Sequence, residues 1–125
     1  VRGVNLTGSE GAGSAIGALA GKYLKPSVLE LGGNDAFVLA DHRDTVEMAA
    51  QATICRIANG GQKCNSSKRF IIMENHYDSF VEEMGKYMSS LKLGDPLESE
   101  TQIPPLARLD LVDEVDAQVQ KAISQ

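Results

Sequence analysis

Apolar positions along the chain fall into short unbroken runs and longer stretches at three- and four-residue steps, and the two kinds alternate. Val4 to Leu6 is a short run. It is followed by Thr7-Gly8-Ser9-Glu10-Gly11-Ala12-Gly13 and then small residues through Ala18, Leu19 and Ala20 to Tyr23, which predicts a strand, a glycine turn and a helix. Thr7 and Glu10 have the spacing of a capping box. Lys25-Pro26 ends the helix. Val28 to Leu31 and Ala36 to Leu39 read as two buried strands joined by a tight connection at Gly32-Gly33-Asn34-Asp35. From Thr45 the residues Val46, Ala49, Ala50, Thr53, Ile54 and Ile57 recur as one face of a helix, which Asn59-Gly60-Gly61 stops. Arg69 to Met73 is a third strand candidate of the later part. Two amphipathic helices follow, through Phe80 to Leu91 and through Ala107 to Ile123, with a polar, proline-bearing loop between them.

Strands alternating with helices predict an α/β layered domain with a largely parallel sheet. Only one strand precedes the first glycine turn, so these residues do not complete a doubly wound half. Composition fits a globular domain: 125 residues, 42% hydrophobic and 23% charged. The formal net charge of -5 spreads twelve Lys and Arg among seventeen acids, which argues against a nucleic-acid partner. No apolar run approaches the length of a membrane span, and the start has no signal-peptide design, so the expected location is cytoplasmic.

Candidate chemistry sits where glycine pairs interrupt the apolar pattern. Cys64 follows Gly60-Gly61-Gln62-Lys63 and precedes Asn65-Ser66-Ser67, with no apolar period around it, so its thiol is expected to face substrate. Cys55 falls inside the predicted helix and is expected in the core. Glu30 interrupts the strand Val28-Leu29-Glu30-Leu31. Sequence alone leaves it evenly divided between a solvent-facing alternate position and a carboxylate at a strand's C-terminal end, where α/β sheets present ligands. A thiol and a carboxylate together suit a two-stage reaction: one forms an acyl-enzyme, the other activates the water that ends it. Thr7-Gly8-Ser9 with Gly13 is weak alone and lacks the spacing of the ordinary dinucleotide fingerprint, although free amides at a helix start suit a diphosphate. His42 and His76 lack a second Cys or His at ligand spacing, so no metal site is expected.

In combination, Thr7-Gly8-Ser9 with Gly13, then Glu30-Leu31-Gly32-Gly33, then Gly61-Gln62-Lys63-Cys64 resemble the glycine turn, general-base motif and catalytic-cysteine motif of the aldehyde dehydrogenase superfamily. The likeness runs over nearly the whole chain, and Ser67 to Ile71 with Pro105 to Glu114 look most like bacterial and archaeal succinate-semialdehyde dehydrogenases. The resemblance implies part of a three-layer Rossmann-like fold: residues 1–31 as the end of an NAD(P)-binding domain and 32–125 as the first part of a catalytic domain. It implies oxidation of an aldehyde to an acid with NAD or NADP, with Cys64 and Glu30 catalytic and Gly8, Ser9, Gly13, Leu31 and Gly32 beside the cofactor. It also implies a homo-oligomer in the full-length enzyme. Family subunits are several times longer, so the chain is expected to be an internal fragment with little activity alone, because the segments carrying the oxyanion Asn and the cofactor-gripping Lys are missing. Departures are Asn34 where Lys is frequent, a more polar Asp41-His42-Arg43-Asp44, and Gly60-Gly61 for a more usual Asn-Gly or Ala-Gly. The alternative from another class is a non-catalytic binding or assembly module.

Overall fold

Two βαβ units follow one another in the computed structural model, which describes residues 1–41 and 44–125. The first is β1 (Val4–Thr7), α1 (Glu10–Lys22) and β2 (Ser27–Glu30). The second is β3 (Asp35–Leu39), α2 (Thr45–Ile57), a 3-10 turn (Ala58–Gly61) and β4 (Ser67–Ile72). Helices α3 (Glu74–Ser90) and α4 (Leu109–Ile123) complete the order. Both strand pairs are parallel, as a helical crossover requires. They form separate two-stranded sheets, β1 with β2 and β3 with β4. The connection at Gly32 and Gly33 therefore carries the chain from one sheet to the other and does not join neighbours.

Hydrophobic packing concentrates in the second unit. Leu39, Ala49, Ala52 and Phe80 are buried, and Phe37, Met48, Phe70, Ile72 and Met84 pack against them. The rings of Phe37, Phe70 and Phe80 form a tilted triangle with centroids 6.1 to 6.3 Å apart, a spacing favourable to aromatic packing. Strand residues alternate between the two faces of the pleat. Phe37, Leu39, Phe70 and Ile72 meet the helices, while Val38 is 62% and Ile71 51% exposed. The strands expected to be buried on both faces are thus covered on one, and Val28 of β2 is likewise exposed.

Helix α2 is rotated from its predicted face toward Ala52. Ala49, Ala52 and Thr53 are its buried residues, whereas Val46 and Ile54 are exposed. Small side chains admit the close approach of α3 and its Phe80, which bulkier residues on that line would prevent. The Thr53 hydroxyl, fully buried, donates to the Ala49 carbonyl at 2.8 Å and is satisfied. Cys55 lies off both the predicted and the observed buried face and is exposed, contrary to the core position expected of it.

Other boundaries shift for local reasons. Thr7 belongs to β1, paired in register with Glu30, so the cap of α1 is Ser9, whose hydroxyl accepts from the Ala12 amide at 3.3 Å. Asp44 caps α2 by accepting from the Glu47 amide at 2.9 Å. Helix α3 begins at Glu74, well before the first apolar residue of its predicted face, and β4 begins at Ser67, which is buried. Helix α4 buries none of its residues. His42 lies outside the described residues. No described helix is long and apolar enough to cross a membrane.

Candidate active site

The C-terminal ends of β1 and β2 lie side by side, and the Gly8 amide donates to the Glu30 carbonyl at 3.0 Å. This bond sets the Ser9-capped start of α1 next to Glu30. Its first-turn amides and the positive end of the helix dipole therefore open beside a carboxylate. Beyond Glu30, Leu31 and Gly32 lead to Gly33, against which the Cys64 loop is seated. A Cβ on Gly33 would lie 2.5 Å from the Cys64 carbonyl oxygen and 3.0 Å from Asp35 Oδ2. Only glycine admits this approach.

The Cys64 loop is shaped at its start by left-handed backbone, with φ of 58° at Asn59, 66° at Gly60 and 76° at Gly61. Asn and Gly are the residues that adopt it readily. Gln62 braces the loop: its Nε2 donates to the Asn59 carbonyl and its Oε1 accepts from the Ala107 amide, both at 2.9 Å. At the far end, Lys68 Nζ reaches back to donate to the Cys64 carbonyl at 2.6 Å and the Lys63 carbonyl at 3.1 Å. Arg69 ties the two motif loops together, donating from Nε and Nη2 to the Asn34 carbonyl at 3.1 and 3.0 Å.

The result is one open cleft of about 620 Å³ in which Gly8, Ser9, Glu30, Gly32, Cys64 and Lys68 share the wall. An adjoining hollow of about 330 Å³ again has both Glu30 and Cys64 on its lining. Cys64 is an exposed free thiol. Leu31 joins these residues on the cleft wall, but Gly13 does not. Gly13 is buried in α1, where a Cβ would come within 2.6 Å of the Leu31 side chain, so its work is to let the helix settle on the strand end. Sequence reasoning passed over Gln62, Lys68 and Arg69 as fixing groups. Their targets are backbone carbonyls, which carry no residue-type signal. On exposed helix surface, Lys86 holds Glu82 below the usual carboxylate range, and Arg108 does the same to Asp110. Among the described residues no group of three or more His, Cys, Asp or Glu is placed to hold a metal ion.

Such a cleft offers an accessible sulfur, a carboxylate in the same space and a helix start suited to an anion. The family model described as "Aldehyde dehydrogenase family" matches residues 1–125. Succinate-semialdehyde dehydrogenase [NADP(+)] 1 of Mycobacterium ulcerans is 43% identical over 122 residues, 98% of this chain and 27% of that protein. The corresponding enzyme of Deinococcus radiodurans is 41% identical over 125 residues, 100% of this chain and 26% of that protein. The crystal structure of succinic semialdehyde dehydrogenase from Streptococcus pyogenes in complex with NADP+ superimposes with a TM-score of 0.93 at 42% identity, covering 99% of this chain and 27% of that one. The chain thus spans about a quarter of the length of these relatives.

Proposed function

Because the chain belongs to the aldehyde dehydrogenase family, we propose that it carries the nucleophile and the general base of an NAD(P)-dependent oxidation of an aldehyde to a carboxylic acid, with succinate semialdehyde the favoured substrate. The observation that carries this reading is the single cleft shared by Cys64, Glu30 and the start of α1. The names of the relatives support the choice of substrate and cofactor. We place residues 1–31 with the cofactor-binding part and 32–125 with the catalytic part. The change of sheet between Glu30 and Asp35 is consistent with that division.

In this mechanism Cys64 adds as thiolate to the aldehyde carbon; a carbon–sulfur bond forms and the carbonyl electron pair moves to oxygen. The Cys64 amide is one donor to that oxygen, and its peptide plane is held because Lys68 bonds the Lys63 carbonyl of that same peptide. NAD(P)+, when bound, accepts the hydride that converts the adduct to a thioester. The donor set fits that cofactor: Gly8 and Ser9 at the helix start suit its diphosphate, and Leu31 and Gly32 line the stretch toward Cys64. Glu30 then takes a proton from water, the oxygen adds to the thioester carbon, and the carbon–sulfur bond breaks to release the acid and restore the thiol.

The 125-residue chain alone is proposed to turn over little or not at all, since a second oxyanion donor and part of the cofactor grip are each worth several kcal/mol. NAD(P)H absorbance with succinate semialdehyde tests this, and robust turnover would refute it. The role of Cys64 is tested by iodoacetamide labelling with peptide mapping near neutral pH. Cys55 and Cys64 are both exposed, so preferential labelling of Cys64 reports reactivity and not access. Equal labelling would favour a binding module that keeps the fold without the chemistry.

A further inference from the structure

Resting on that reading of Cys64, we propose that Lys68 selects the substrate class, its ammonium serving as counter-charge to an aldehyde that bears a carboxylate a few carbons from the reacting carbon. Lys68 lines the cleft together with Cys64. Lysine side chains ordinarily sample many rotamers, but here the Cys64 and Lys63 carbonyls accept from Nζ at 2.6 and 3.1 Å and fix the ammonium beside the nucleophile. Those two bonds use two of its three donors and leave one for a ligand. They also leave its charge unneutralised, since carbonyls are neutral acceptors and none of the ion pairs among the described residues involves Lys68.

Distance and sign both suit such a tail. An ammonium bonded to the carbonyl of Cys64 stands within about 7 Å of that residue's thiol by standard bond lengths, and a four-carbon semialdehyde places its carboxylate about 4–5 Å from its aldehyde carbon. Glu10 and Glu30 line the same cleft and repel an anion, so a fixed cation is what makes an acidic tail acceptable there and gives it one direction to point. A neutral aldehyde gains from Lys68 only the fixed Cys64 loop, which serves every substrate alike, and nothing from its charge. The residue is a specificity determinant that acts on binding and leaves the bond-making to Cys64.

The test uses the intact 125-residue chain and a readout that needs no cofactor. Cys64 is alkylated with iodoacetate, an anion, and with iodoacetamide, its neutral counterpart; each forms a carbon–sulfur bond and expels iodide. The ratio of the two rates, followed by peptide mapping, is normalised to the same chain unfolded in urea. The folded chain is expected to favour iodoacetate, and K68M to lower the normalised ratio about three- to fivefold at low ionic strength, with added salt shrinking the difference. K68R, which keeps the charge, is expected to retain most of the preference. A K68M ratio equal to that of the parent, with Cys64 still reactive, would overturn the proposal, as would an equal fall in K63M. Failure of both reagents at Cys64 while Cys55 reacts would instead remove the catalytic role of Cys64. Far-UV circular dichroism verifies the fold of each variant, and K68Q replaces K68M if the latter does not fold.

Discussion

Replacing Gly33 by alanine puts the contact between the two motif loops to a direct test. The added Cβ would sit 2.5 Å from the Cys64 carbonyl oxygen and 3.0 Å from Asp35 Oδ2. Carbon–oxygen contacts of this kind settle at about 3.3–3.6 Å, so the carbonyl must retreat by about 0.8 Å or the connection at Gly33 must move. Asp35 can rotate away, but the Cys64 carbonyl is held from the other side by Lys68 and has little freedom to give. Overpacking of this kind costs about 1–3 kcal/mol, against about 0.4–1 kcal/mol gained because alanine restricts the unfolded chain. The net expectation for G33A is a loss of about 1–2 kcal/mol, or a fall in Tm of about 3–8 °C for a chain of this size. Iodoacetamide labelling of Cys64 should change as well, because its loop is displaced. Thermal unfolding followed by circular dichroism, with labelling on the same samples, is the assay. G85A is the control: nothing lies within 4 Å of a Cβ at Gly85, inside α3, so alanine should stabilise by about 0.5–1 kcal/mol. If G33A also stabilises, or leaves Cys64 labelling untouched, the proposed seating of the two loops is wrong.

Three further outcomes follow from the packing and the charges. F80A removes the buried corner of the aromatic triangle and is expected to cost about 3–5 kcal/mol in urea unfolding, with F80L distinctly milder because it leaves a smaller cavity. D44A removes the acceptor of the Glu47 amide at the start of α2 and should cost about 1 kcal/mol, while D44N, able to cap in the same way, should cost less. The Glu82 carboxyl, held by a hydrogen bond and by the charge of Lys86, should titrate below the 4.5 of a free glutamate in carboxyl NMR and return toward it in K86M. Since its folded value is the lower one, any stability from this pair is present above pH 4.5 and is lost as pH falls through the folded midpoint. Both groups are exposed to solvent, so 1 M salt should erase most of the difference between K86M and the parent.

Much of the fold was legible because its signals are local. Helical spacing after Thr45, the stop at Asn59-Gly60-Gly61 and the apolar runs that became β1 to β4 depend on neighbours within a turn or two, and each element lies within a few residues of its expected place except the start of α3, which comes earlier. Faces were less legible. Val46 and Ile54 fit a helical stripe as well as Ala49 and Ala52 do, and only the arrival of Phe80 decides that the small residues go inward. Cys55 was expected in the core merely for lying inside a helix, and it is exposed because it falls off the buried stripe. Thr7 and Ser9 are both good caps, and the pairing of Thr7 with Glu30 across a parallel ladder is what leaves the role to Ser9.

The sequence by itself determined the kinds of element, their order, the glycine-loosened turns and the residue types able to do covalent chemistry, since backbone preference and periodicity act over short separations. The tertiary structure alone decided that the turn at Gly8, the carboxylate of Glu30 and the thiol of Cys64 open into one cleft, and that Gly13 packs beneath Leu31 and not on that wall. It also turned Lys68 back onto the Cys64 loop. These meetings join backbone atoms and side chains far apart in the chain, and they follow from sheet register and helix crossover, which no short stretch of residues encodes.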